Sequence, residues 1–175
     1  MSLVRLRPLR AADLAALEEI TSREADPWNW FSYTSAEARR RHFGDDGMIG
    51  TEAGTLAVEV PGGELAGEVS WHTVQHGPVA VGAAKNIGIS LLPARRGRGY
   101  GSAAQRVLAE YLFATTLTER IEAETDVENI AEQRALERAG FSREGVLRHA
   151  QFRAGHWRDT VLYSVLRAEV SLTQF

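Results

Sequence analysis

The chain has 175 residues, 44% apolar and 25% charged, with a net charge of −3 and no cysteine; this composition suits a single soluble domain, residues 1–175, around one core. Without cysteine there are no disulfides, thiolate metal sites or cysteine-bound acyl intermediates, and no apolar run reaches the roughly eighteen residues a membrane helix needs. The negative charge disfavours nucleic acid as a partner, and Met1-Ser2-Leu3-Val4-Arg5 lacks a signal-peptide pattern, so a cytoplasmic location is expected.

Taken in chain order, the elements alternate between strand and helix, the pattern of an α/β fold. Val4 to Leu9 alternates with arginines as a first strand, and Asp13 is placed to cap a helix reaching Arg23. Asp26 to Tyr33 then gathers Trp28, Trp30, Phe31 and Tyr33 around Pro27, and Thr34 with Glu37 reads as a capping box for a helix through Phe43. Thr55 to Val60 and Glu64 to Val74 form a hairpin pattern around Pro61-Gly62-Gly63. Asn86 to Leu92 suits a central strand closed by Pro93. After the turn Arg95 to Gly101, Ala104, Val107, Leu108, Tyr111 and Leu112 recur at helical spacing, with Gln105, Arg106, Ala109 and Glu110 assigned to other faces. Ile121 to Thr125 is a strand, Asn129 to Ala139 a helix stopped by Gly140, and Val146 to Phe152 with Trp157 to Leu166 a final hairpin around Ala154-Gly155-His156.

The turn Arg95-Arg96-Gly97-Arg98-Gly99-Tyr100-Gly101 stands between a strand and a strongly amphipathic helix. The first N–H groups of a helix lack partners, and a phosphate satisfies them. Gly97, Gly99 and Gly101 permit positive φ and close approach of the ligand, while the arginines surround it with charge. A dinucleotide fingerprint would need glycine at Ser102, and no Gly-Lys-Ser/Thr of a P-loop occurs.

These residues resemble the GNAT superfamily of N-acetyltransferases, in which such a loop holds the CoA pyrophosphate. Asn129, Ala139-Gly140-Phe141, Glu144-Gly145, Leu147-Arg148, and Asp159 with Tyr163 extend the resemblance to the RimJ/RimL-type branch, whose members acetylate ribosomal-protein N-termini. The resemblance implies a mixed, twisted sheet of about seven strands with helices on both faces, split between the fourth and fifth strands. It implies acetyl-CoA as acyl donor; His72 and His76 are spaced like a helical metal pair, but on a strand four residues span about 13 Å, so no shared metal is expected. By the same resemblance backbone groups around Leu91 and Leu92 line the pantetheine arm, Arg96, Gly97, Arg98, Gly99, Tyr100, Gly101 and Ser102 bind the pyrophosphate, and Asn129 meets the pantetheine side.

The acceptor is a primary amine, either a protein N-terminus or a small molecule such as a polyamine or antibiotic, and an amine attacks a thioester only when unprotonated. Here the chain departs from its relatives: Gln151 stands where RimL-like enzymes carry a glutamate, Glu132 where a serine is expected, and Leu136 where many GNAT enzymes carry a tyrosine acid. Candidate bases are therefore Glu68 and His72, which share a strand face with Ser70, Glu132 on the second helix after the turn, and Glu124 or Asp126 near the split. Trp28, Trp30, Phe31 and Tyr33 fall where the resemblance places the acceptor wall, and with Asp26 could hold a cation through ring faces and charge; core packing explains them equally well. The departures leave open a non-catalytic acyl-CoA-binding module, and the residues leave the oligomeric state open, a homodimer included.

Overall fold

The structure, a computed structural model, describes residues 3–20, 22, 24–29, 31–78 and 83–171. Among them, β1 (Arg5–Pro8), β2 (Ala53–Glu59), β3 (Leu65–Val74), β4 (Ala84–Leu91), β5 (Arg120–Asp126), β6 (Ser142–Arg153) and β7 (His156–Leu166) form one sheet in the order β1-β2-β3-β4-β5-β7-β6. All neighbours are antiparallel except β4 and β5. A parallel pair needs a long crossover, and helix α3 (Tyr100–Thr115) supplies it. Pairing of β4 with β5 covers only Lys85–Ile87 against Ile121–Ala123. Beyond those residues the two strands part, so the sheet is split between its fourth and fifth strands.

Side-chain alternation divides the apolar residues between two faces. Leu56 and Val58 of β2 belong to the main core with Val69, Trp71, Ile87, Ile121 and Tyr163, and Ala104, Leu108 and Leu112 of α3 pack on them together with Leu136 of α4 (Ile130–Ala139). Ala57, between Leu56 and Val58, points the other way, into a smaller cluster with Leu14 and Leu17 of α1 (Ala11–Leu17) and Ile20. Phe43 of α2 (Ala36–Asp46) packs on that second cluster.

Local chemistry corrects several boundaries. Ser35 rather than Thr34 caps α2, accepting from the Ala38 N–H at 3.2 Å. Asp13 lies inside α1, where its carboxylate accepts from the Arg10 N–H at 2.7 Å and from Arg7 Nη1 at 2.6 Å. Arg7 also donates to Glu59 at 2.6 Å, and this buried pairing holds the Asp13 and Glu59 carboxyls below their usual range. Helix α1 stops at Leu17, followed by one 3-10 turn to Ile20, and Arg23 lies outside the described residues. The last hairpin turns on Ala154 and Gly155, with φ of 51° and 83°, a two-residue left-handed turn whose twist matches the strands it joins. The buried stripe of α3 comprises Ala104, Gln105, Leu108, Ala109, Leu112 and Phe113. Apolar spacing alone assigns Gln105 and Ala109 to outer faces, but the stripe is wider than that spacing indicates because α4 packs along that flank.

Candidate active site

Where β4 and β5 diverge, their backbones leave a cleft lined by Ile87–Ile89 on one side and Ala123–Thr125 on the other. Helix α4 begins at its edge. Asn129 caps α4 by accepting from the Glu132 N–H at 3.3 Å and donates to Thr125 Oγ1 at 3.0 Å, which fixes the first turn beside β5. Glu132 and Gln105 line the same cleft, and Gln105 Nε2 donates to Glu132 Oε1 at 2.7 Å. From the opposite side comes Asn29, whose amide donates to Ile89 O at 3.2 Å and to Asp26 at 3.0 Å. Ser90 Oγ also donates to Asp26, at 3.2 Å.

The electrostatics of this cleft are one-sided. Desolvation, together with the nearby Asp26 charge, lifts the Glu132 carboxyl to about 7 despite the Gln105 hydrogen bond that favours its ionised form. Among the described residues Glu124 receives only the Thr160 hydroxyl, at 3.2 Å. Among the described residues no cation pairs with Asp26, Glu124 or Glu132, whereas Glu68, Glu122 and Asp126 each have an arginine.

Beyond the outer end of β4, Pro93–Arg95 makes a 3-10 turn and α3 starts at Tyr100 with no side chain capping it. Gly97 and Gly99 adopt φ of 73° and 79°, which only glycine takes without strain. Gly101 is different. It is helical, and a Cβ there would meet nothing nearer than 3.8 Å. Gly101→Ala should therefore stabilise the fold by up to ~1 kcal/mol through helix propensity, while Gly99→Ala should cost ~1–2 kcal/mol in the left-handed region; urea unfolding of the two variants checks the opposite signs. Of the arginines, Arg95 pairs with Glu64 at 3.0 Å and Arg96 Nε donates to Leu91 O at 3.0 Å, while Arg98 and Ser102 lie on the open side of the turn or half-buried beside it.

The residues singled out from sequence fall into two groups. Glu132 and Asn129 meet in the cleft, with Arg96 to Ser102 forming the turn at the start of α3. Glu68 and His72 do not join them: Glu68 is held by Arg39 of α2, and His72 is exposed on β3 opposite Asn86. Leu91 and Leu92 also lie outside the cleft lining, Leu91 against the main core and Leu92 against the smaller cluster, with the Leu92 N–H given to Ala66 O at 2.9 Å. Of the expected acceptor wall, Trp28 packs beneath Arg153, whose guanidinium sits 5.4 Å from the ring centre. Phe31 and Tyr33 are 50% and 93% exposed and take no part in the lining, and Trp30 lies outside the described residues. Leu136 is buried in the core.

Sequence reading missed Asn29, Gln105 and Arg153. Arg153 donates to Asp126 and, at 2.6 Å, to Trp28 O, so it ties the Asp26–Asn29 segment to β5. A polar residue on the otherwise apolar flank of α3 was the available signal for Gln105. His76, spaced four residues from His72, instead meets Glu122 at 2.6 Å. No group of three His, Cys, Asp or Glu that could hold a metal occurs among the described residues, and no described helix is long and apolar enough to cross a membrane.

Known proteins share this fold. The probable N-acetyltransferase YjcK of Bacillus subtilis is 34% identical over 83 residues, 47% of this chain and 46% of that protein. The chain thus spans about half the length of the first curated relatives it matches. Among solved structures, Mycobacterium smegmatis RimJ in complex with CoA-disulfide superposes with a TM-score of 0.76 at 26% identity, covering 98% of this chain and 84% of RimJ. Spermidine N-acetyltransferase of Vibrio cholerae, in complex with CoA and spermine, has the same fold, with a TM-score of 0.77 at 22% identity over 97% of this chain and 98% of that one. The acetyltransferase (GNAT) domain family matches residues 4–142, which include β1 to β5 with the split between β4 and β5, the glycine-arginine turn and α4, and the chain belongs to that family.

Proposed function

We propose that this protein transfers an acetyl group from acetyl-CoA directly to a primary α-amine in a ternary complex, with Glu132 receiving the amine proton. One observation carries the reading: a carboxyl lifted to about 7 lies in the sheet split, beside a helix N-terminus left without a side-chain cap and preceded by arginines. That donor set fits a CoA pyrophosphate, because free backbone N–H groups, two left-handed glycines and guanidinium groups all favour an anion. When bound, acetyl-CoA supplies the thioester carbon.

The chain's own residues do the rest. Arg96 to Ser102 hold the phosphates, and Ile87–Ile89 with Asn129 flank the cleft through which the arm reaches Glu132. As the nitrogen bonds to the acetyl carbon, the carbon–sulfur bond breaks, and the proton lost by nitrogen balances the one needed to release sulfur as a thiol. A base near 7 matches an α-amine, which ordinarily titrates at about 7.7–8.0, within about one unit; a lysine-type amine at about 10.4 lies some three units, ~4 kcal/mol, uphill. We place the reaction in the cytoplasm.

A second reading, a linear polyamine as acceptor, is favoured by the three carboxylates Asp26, Glu124 and Glu132 that have no cation among the described residues. Thiol release from acetyl-CoA, measured against N-terminal peptides, polyamines and aminoglycosides, separates the two. Faster turnover with peptides supports the α-amine. Faster turnover with spermidine supports the polyamine, and saturable CoA binding without thiol release from any acceptor would make this an acyl-CoA-binding module.

A further inference from the structure

Glu132 has one hydrogen bond to its carboxyl among the described residues, from Gln105 on α3. Gln105 is itself 1% exposed, although it is polar and sits amid the apolar residues that α3 buries. Such a side chain is costly to bury unless both ends of its amide find partners. Among the described residues only one does: Nε2 is spent on Glu132, and Oε1 is buried with no partner. An apolar residue would pack at this position without that cost, so the amide is there for what it does to Glu132.

We propose that Gln105 is a positioning residue that holds the Glu132 carboxyl toward the cleft and sets the pH at which it takes up a proton. An amide suits this because it presents a donor or an acceptor at the same place. With Glu132 ionised, Nε2 donates to the carboxylate, as in the structure. With Glu132 protonated, rotation of the amide brings Oε1 to receive the carboxyl O–H. Leucine or methionine would serve neither form, and lysine would pin the carboxyl in its ionised form.

The charged groups facing Glu132 are few. Asp26 approaches from the segment between α1 and α2 and disfavours the ionised carboxyl. Glu124 of β5 lines the same cleft, its carboxyl accepting from the Thr160 hydroxyl at 3.2 Å. Asp126 of β5 is neutralised by Arg153 of β6. From α3 the facing group is Gln105 alone, since Arg106 is exposed and turned to Arg138 O. The amide therefore opposes desolvation and the Asp26 charge, both of which disfavour the ionised Glu132 carboxyl.

This inference rests on the reading of Glu132 as base, but its test does not need turnover. In protein carrying carbon-13 at the glutamate carboxyls, with Glu132 assigned by its absence in Glu132→Gln, the Glu132 signal is followed against pH. Gln105→Met, close in size, is expected to move that titration upward by about one unit or more, because a hydrogen bond to the charged form is lost. The acid limb of kcat should move with it, with activity recovering at high pH. In Gln105→Glu, read as well in case the methionine variant does not fold, two carboxyls sharing a proton should titrate in two separated steps. A Glu132 midpoint unmoved by Gln105→Met, or kcat lowered equally at every pH, would overturn the proposal. A midpoint that moves in a protein without acetyl transfer would uphold Gln105 and refute the acetyltransferase reading alone.

Discussion

Replacing Glu132 by glutamine should lower kcat by roughly 10²–10⁴-fold, the range expected when a positioned base is lost, and should at the same time make the protein more stable at pH 8. The two effects have one cause. Desolvation raises the Glu132 carboxyl from 4.5 to about 7, so the folded state disfavours the charge that the unfolded chain carries freely. A group raised in this way is stabilising below its unfolded value, and that contribution is lost as pH rises toward 7. The difference of about 2.5 units corresponds to ~3 kcal/mol at most. Glutamine has no such charge, so the gap between variant and parent in urea should widen from pH 5 to pH 8. The parent's kcat should fall below pH 7 as Glu132 takes up its proton, and the variant's should be flat there. A variant that loses activity and stability together would show Glu132 to be a packing residue.

Arg153→Met should cost ~3–5 kcal/mol of stability and raise the acceptor KM more than that for acetyl-CoA. Arg153 and Asp126 are 5% and 2% exposed, and removing one member of a buried pair leaves the other charged in a low-dielectric setting. The Asp126 Oδ1 atom keeps the Glu128 N–H at 2.8 Å, but Oδ2 loses the guanidinium. The same change releases Trp28, which gives its carbonyl and its ring face to Arg153. Asn29 and Asp26 lie within two residues of Trp28 in the chain, and Asn29 lines the cleft while donating to Asp26, so their placement suffers next. Adding Asp126→Asn to Arg153→Met should recover part of the lost stability, because the uncompensated charge is gone, without restoring the acceptor KM. Denaturant unfolding of the single and double variants gives the first effect and steady-state kinetics the second.

The elements were legible wherever a local signal had no competitor. The glycine-arginine turn announced a helix N-terminus, and the period-two runs from Thr55 to Val74 announced a hairpin, because both depend on neighbours in sequence. At α1 the position differs and the role holds: Asp13 accepts the Arg10 N–H from inside the first turn rather than from the cap position, and Arg7, shared with Glu59 of β2, holds it there. The site divided along the same line. Glu132 and Asn129 lie one helical turn apart, and their meeting follows from α4 alone. Glu68 shares a face with Ser70 in sequence, yet Arg39, 29 residues away, decides that it is an ion pair. Gln105 and Arg153 were not legible as site residues, since the partners that define them, Glu132, Asp126 and Trp28, come from elsewhere in the chain.

The central claim is that the β4–β5 split and the turn before α3 together receive CoA. Backbone amide NMR of the nitrogen-15-labelled protein during titration with CoA tests it directly. Saturable shifts concentrated at Gly97 to Ser102, Ile87 to Ile89 and Asn129 to Glu132, weakened by removing the pyrophosphate-bearing half of the ligand, are the expected result. Saturable shifts confined to another face of the protein, or none at millimolar CoA, would contradict it.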